Sequence, residues 1–105
     1  LFHAFTLDTG DADCAVRTRH VWWGTVTPGE DPVTGSASGC IASYLVGQGV
    51  MLAAPEAEFM IEQGEEVGRP GKVTARIRAQ GQRVTRVQVG GHCVHVGNGE
   101  VWLRD

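Results

Sequence analysis

The sequence predicts an α+β domain, one buried helix set against a curved and mostly antiparallel sheet, on three observations. Between Pro32 and Pro55 there is no Asp, Glu, Lys or Arg. Ionised groups are rarely buried unpaired, so an uncharged run that opens on a small-residue turn predicts a helix covered on most sides. From Lys72 to Gln80 apolar and polar residues alternate strictly, the period of a strand with one buried and one wet face. Gly 15 in 105 residues is about twice the usual share, which suits tight turns between short strands.

Taken in order, Phe2 to Leu7 is a first strand, ended by the turn Asp8-Thr9-Gly10-Asp11. Cys14 to Trp23 is a second, with Cys14, Val16, Thr18 and His20 on one face and Ala15, Arg17, Arg19 and Val21 on the other. Trp22 and Trp23 point to opposite faces of it, one expected in the core and the other at a pocket or interface. Gly24 to Gly29 reads as a loop. The helix runs from about Gly35 to Gly47, with Ala37, Ile41, Tyr44 and Leu45 on one side and Cys40, Ala42, Ser43 and Val46 on the rest. Its small residues let strands approach closely, and Cys40 is expected as a small buried hydrophobe. Glu58 to Glu62 is a short strand. Val73, Ala75, Ile77 and Ala79 form the buried face of the next one, and Gly81-Gln82 turns into a partner. Val84 falls out of register with Val87 and Val89, so a bulge is expected near Thr85-Arg86. His92 to Val96 and Glu100 to Arg104 complete the predicted meander around Gly97-Asn98-Gly99.

Chemistry concentrates at the start of the helix, in Glu30-Asp31-Pro32-Val33-Thr34-Gly35-Ser36-Ala37. The first backbone N–H groups of a helix lack intrahelical partners and sit at its positive end. Gly35 lets a ligand come close to the backbone, and Ser36 or Thr34 can cap the helix or donate to a ligand. Two readings follow: a plain capped helix after an Asp-Pro turn, or a site for a carboxylate or phosphate.

That octet resembles the Glu-Asp-Pro-x-Thr-Gly-Ser-Ala signature of the PhzF-like isomerases of phenazine biosynthesis, relatives of diaminopimelate epimerase and proline racemase. Glu62-Gln63-Gly64 with Gly68-Arg69-Pro70 resembles a second family block, and Val87-Gln88-Val89-Gly90-Gly91 with Gly99-Glu100-Val101 a third. Of the Arg-x-Phe-x-Pro that precedes the signature in the family, this chain keeps at most Arg19. The resemblance covers the C-terminal half of a family member. It implies a diaminopimelate epimerase-like half-domain over residues 1–105, a barrel-like sheet wrapped around one central helix. It implies further a cofactor-free proton shift on a small carboxylated metabolite held between two similar halves. Asp31 would be the catalytic residue, placed for proton transfer or orientation. Thr34, Gly35 and Ser36 would bind the substrate carboxylate. The related epimerases carry a catalytic cysteine in the corresponding turn; none occurs from Glu30 to Ser38. The family's principal acid/base, a glutamate, belongs to the N-terminal half.

The rest of the chain offers less. A net charge of −3 gives no basic footprint for nucleic acid. Arg76, Arg78, Arg83 and Arg86 are expected on a solvated sheet face, paired with nearby acids. Cys14, Cys40 and Cys93 form no CxxC pair and read as reduced thiols in cytoplasm. His92-Cys93 with His95 splits between two strand faces and makes no expected metal site; His3 and His20 are left unassigned. The uncharged run, broken by Gly39, Gly47 and Gly49, is a poor membrane span. Leu1 is not an initiator Met, and the chain reads as a piece of something longer. Two functions therefore stand: half of an isomerase, or a non-catalytic half-domain that dimerises, pairs with an N-terminal half or binds a small anion.

Overall fold

The computed structural model describes residues 1–24 and 28–104. Its elements are β1 (Phe2–Thr6), β2 (Cys14–Trp23), β3 (Pro28–Asp31), α1 (Gly35–Gly47), β4 (Glu56–Gln63), β5 (Gly71–Gln80) and β6 (Arg83–Gly90), with a short 3-10 turn at Glu65–Val67. Among the described residues the strands form one six-stranded sheet in the order β1-β2-β4-β5-β6, with β3 also paired to β2. All pairings are antiparallel except β2 with β4, which is parallel. Parallel neighbours need a long crossover, and the segment carrying α1 supplies it. The post-helix strands β4, β5 and β6 form an antiparallel meander, as expected, and the sheet is mostly antiparallel, its parallel pairing joining the meander to β2 ahead of the helix.

The core lies between α1 and the sheet. Val16, Leu45, Val46, Ile61 and Ile77 are fully buried, joined by Ala42, Ala75 and Ala79. Full burial of a large aliphatic side chain contributes about 1.5–3 kcal/mol, so this cluster holds helix and sheet together. The β5 alternation is as expected: Val73, Ala75, Ile77 and Ala79 face inward while Arg76 and Arg78 pair outward with Glu58 and Glu56. The bulge on β6 is present too, since Arg78 pairs with Arg86 but Ala79 with Val84, leaving Thr85 unmatched. Gly39 brings α1 close to β6: Val87 and Val89 methyls lie 3.3 and 3.4 Å from where a Cβ would stand.

Several expectations are corrected. The helix buries one face, Ser38, Gly39, Ala42, Leu45 and Val46, rather than most of its sides. Cys40 is exposed and Tyr44 is 53% exposed, because absence of charge shows tolerance of burial and not which side is covered. Neither Trp22 nor Trp23 enters the core: Trp22 lies over Gly29, and Trp23 is 81% exposed. His92 to Val96 and Glu100 to Arg104 are not strands, and the segment is exposed throughout; its alternation finds no ladder partner. Part of the Gly24–Gly29 connection is strand, since β3 begins at Pro28, while residues 25–27 lie outside the described residues.

Candidate functional site

β3 pairs with β2 so that Asp31 stands opposite His20 and Glu30 opposite Val21. Pro32 follows, which keeps Asp31 extended and turns the chain before the helix. Thr34 is the residue before the first helical turn, in extended conformation, yet its side chain does not cap α1. Instead its hydroxyl donates to Asp31 Oδ2 at 2.7 Å. The helix start is held from within, by Ser38, whose backbone N–H and hydroxyl both donate to the Thr34 carbonyl at 3.0 and 2.7 Å.

Beneath this turn lies Gln63, the last residue of β4 and 2% exposed. Its Nε2 donates to the Asp31 carbonyl at 2.6 Å and to Thr34 Oγ1 at 3.0 Å. Its Oε1 accepts from the buried Thr18 hydroxyl at 3.1 Å. Gly64 follows at φ 93°, and a Cβ there would stand 2.5 Å from the Pro32 carbonyl oxygen. Val33 packs in the same way on Gly71. The second sequence block is therefore the seat on which the signature turn rests.

The two signature carboxylates part company. Arg19 grips Glu30 with both arms, Nε to Oε1 at 2.9 Å and Nη2 to Oε2 at 2.6 Å. That hydrogen bond holds the Glu30 carboxyl below its ordinary range, against the opposing pull of burial. Such fork geometry favours the ionised pair. Asp31 takes part in none of the ion pairs among the described residues, which join Arg17, Arg19, Lys72, Arg76 and Arg78 to other acids. Its charge is met by the Thr34 hydroxyl.

Of the four residues singled out from sequence, Asp31 and Thr34 are joined directly, and Gly35 and Ser36 follow as the first residues of α1. Ser36 is exposed. Gly35 lines a shallow, largely apolar cavity of about 430 Å³ with Val33, Gly71, Lys72, Val89 and His92. A larger cleft of about 800 Å³ opens beside it, between the β1–β2 loop and the start of β5. There the Glu62 carboxylate accepts the backbone N–H groups of Gly10 and Asp11 at 2.7 and 3.0 Å and faces Arg17 at 3.7 Å. Lys72 pairs with Asp11 and, as its hydrogen-bond donor, holds that carboxyl below its usual range. Gln63 and Lys72 line this cleft, and Lys72 borders both cavities.

Across the sheet, His3, His20 and Asp31 occupy one row of paired positions on β1, β2 and β3. The His3 and His20 Nδ1 atoms are 3.1 Å apart, and His3 Nε2 is buried with no partner. Burial, and then the neighbouring His20, lower the tendency of His3 to take up a proton. Cys14 is buried, which pushes its thiol up, while Cys40 and Cys93 are exposed. Among the described residues no three His, Cys, Asp or Glu side chains gather as a metal site, and His95 faces Asn98 at 2.7 Å. No helix of the described residues is long and apolar enough to cross a membrane. Sequence reasoning named the Gln63 block but no role for Gln63 itself; the signal available was an uncharged polar residue directly before Gly64, in alternation with Phe59 and Ile61.

A sequence model of the family described as phenazine biosynthesis-like protein matches residues 6–99. An uncharacterized isomerase of Bacillus subtilis is 38% identical over 96 residues, covering 89% of this chain and 30% of the relative. A trans-2,3-dihydro-3-hydroxyanthranilate isomerase of Pseudomonas chlororaphis is 38% identical over 74 residues, 70% of this chain and 26% of the relative. Among solved structures, the Bacillus anthracis phenazine biosynthesis protein of the PhzF family superposes with a TM-score of 0.67 at 27% identity, over 85% of this chain and 30% of that one. The chain thus spans about a third of the length of these relatives.

Proposed function

Because the chain belongs to the phenazine biosynthesis-like family, in which relatives are named isomerases, we propose that it is part of the C-terminal half of a cofactor-independent isomerase or epimerase. In this reading it acts by proton transfer on a small metabolite bearing a carboxylate. Asp31 exchanges or orients the proton, and the backbone N–H groups of Gly35 and Ser36, with Thr34 and Ser36 beside them, receive the substrate carboxylate. The observation that carries this is the state of Asp31: a carboxylate at the helix start, hydrogen-bonded by Thr34 and unpaired with any described cation. An aspartate locked in an ion pair, as Glu30 is, would be a poor proton carrier. The glutamate implied by the resemblance would come from the other half. The free cysteines support a reducing, cytoplasmic setting, and the balance of −3 speaks against nucleic acid as a partner.

The test uses the complete protein that carries this chain, with trans-2,3-dihydro-3-hydroxyanthranilate as the first substrate tried, after the name of the Pseudomonas relative. Asp31→Asn is expected to lower turnover far more than it weakens binding, since the amide keeps the shape but cannot exchange the proton. Ser36→Ala is expected mainly to weaken binding, by about 1 kcal/mol. Unchanged turnover in Asp31→Asn, on any substrate the parent converts, removes Asp31 from the chemistry.

A second reading, a non-catalytic half-domain that pairs with a copy of itself or with an N-terminal half, is favoured by one observation. The uncharged outer side of α1 carries Cys40 and Tyr44 exposed, and it is bordered by Phe5 of β1, which meets Tyr44 edge-on.

A further inference from the structure

We propose that Gln63 is the positioning residue of this site, and that it decides which oxygen of Asp31 is open to exchange a proton. Its catalytic meaning rests on the isomerase reading above; its geometry does not. The Asp31 carbonyl can only accept, so the Gln63 atom 2.6 Å from it is the amide nitrogen. The amide cannot turn over, and Oε1 is left facing the Thr18 hydroxyl, which lies 3.1 Å from it and 3.3 Å from the Glu62 carbonyl and has a proton for either. The same nitrogen gives its other hydrogen to Thr34 Oγ1. Thr34 thus accepts on one side and has a single proton left, directed at Asp31 Oδ2. Every donor in the chain Gln63, Thr34, Asp31 points the same way. Oδ2 is held as an acceptor, and Oδ1 remains the oxygen that takes up or gives back a proton.

The arrangement is enforced by burial. Gln63 is 2% exposed and Thr18 1%, and a buried polar group stripped of its partner bears the full cost of leaving water. Reversal of any one bond in the chain would strand the next group, so the network has one stable direction. The backbone keeps the register: Gly64 closes on the Pro32 carbonyl and Gly71 on the Val33 side chain. A side chain serving only to fill space would need neither the donors nor their order.

The test reads the Asp31 carboxyl carbon by NMR in the complete protein that carries this chain, at fixed neutral pH and with no substrate. Gln63→Glu has almost the same shape but can accept the Thr34 proton, which withdraws it from Asp31. Its Asp31 signal is expected to shift in the same direction as in Thr34→Val, and the double variant to shift no further than Thr34→Val alone. Additive shifts, or an unmoved Asp31 signal in folded Gln63→Glu, overturn the proposal. Should Gln63→Glu not fold, Thr18→Val frees the far end of the amide at nearly constant volume. A shift in the same direction supports the proposal, and an unmoved signal overturns it. Turnover enters none of these readings. Unchanged catalysis in Asp31→Asn would therefore sink the isomerase role and leave the Gln63 geometry to be judged by its own signal.

Discussion

At the scale of single residues, the histidine pair makes a measurable demand on pH. His3 is held towards its neutral form by burial first and by His20 second, and one ring must donate and the other accept across the 3.1 Å Nδ1 contact. The unfolded chain titrates His3 near its ordinary value of about 6.5. Its folded value is lower, so below about 6.5 the unfolded state binds a proton that the native state resists. The contribution is fully present above that value and is lost as pH falls through the folded one. The melting temperature is therefore expected to fall between pH 7.5 and 5.5, and His3→Phe, which keeps a ring in place, to flatten that part of the profile. A profile of unaltered slope in His3→Phe would assign the effect elsewhere. Glu30 and Asp11, both held low by cationic hydrogen-bond donors, lose their contributions only as pH falls through their folded values, below the ordinary carboxylate range. At this scale the sequence singled out the stretch from Glu30 to Ser36 and not how its two carboxylates differ. Glu30 and Asp31 are adjacent and alike on paper. Only the strand pairing, which sets Arg19 within reach of one of them, tells the ion pair from the free acid. Gln63 was illegible for a related reason, since its partners lie 32, 29 and 45 positions away.

At the scale of elements, legibility follows how local the determining force is. The α1 bounds could be read because Pro32 and the Gly47-Gln48-Gly49 run punctuate an uncharged stretch, and β5 because its alternation is written residue by residue. The parallel β2–β4 pairing and the short β3 could not, since each depends on a partner strand that no local pattern names. The tail fails in the opposite direction: Val94, Val96, Val101 and Leu103 alternate as strand residues do, but a strand exists only where a ladder receives it. The seat of the signature turn offers an internal comparison between two glycines of left-handed conformation. Gly64, at φ 93°, is closed in by the Arg69 and Pro32 carbonyls, whereas Gly81, at φ 62°, has open space around it. An alanine in that conformation costs about 1–3 kcal/mol wherever it stands, so Gly81→Ala reports the conformational cost alone. Gly64→Ala is expected to cost more, by at least a further ~1 kcal/mol, a drop of roughly 4–8 °C beyond the Gly81 variant for a domain of this size. Equal melting temperatures for the two variants would mean that Gly64 is not closed in by the Arg69 and Pro32 carbonyls as described.

At the scale of the whole molecule, the decisive feature is the side of α1 turned away from the sheet. Ser36, Cys40 and Tyr44 recur every fourth residue along it, flanked by Ala37 and Ile41, with no charge anywhere on the helix. Phe5 of β1 meets Tyr44 edge-on at 6.1 Å, so the apolar strip continues onto the sheet margin. On the far side of the molecule's sequence, the segment after β6 exposes Val94, Val96, Val101, Trp102 and Leu103, each by 85% or more. A soluble monomer rarely leaves contiguous apolar surface of more than a few hundred Å² bare, and a stable partner buries about 800 Å² on each side. The expected outcome is association: static light scattering across a rising concentration series should show the apparent mass of the chain climbing above 11.2 kDa. A charge placed on the strip should reverse it, because desolvating an unpaired carboxylate at an apolar contact is costly. Tyr44 is 53% exposed and contributes nothing to the buried core cluster, so Tyr44→Glu should preserve the circular dichroism of the helix while returning the mass towards that of a single chain. A parent chain that stays monomeric at the highest concentration removes the need for a partner. A Tyr44→Glu variant that associates as strongly as the parent moves the contact from the helix to the segment after β6, where Trp102→Glu would then carry the same test.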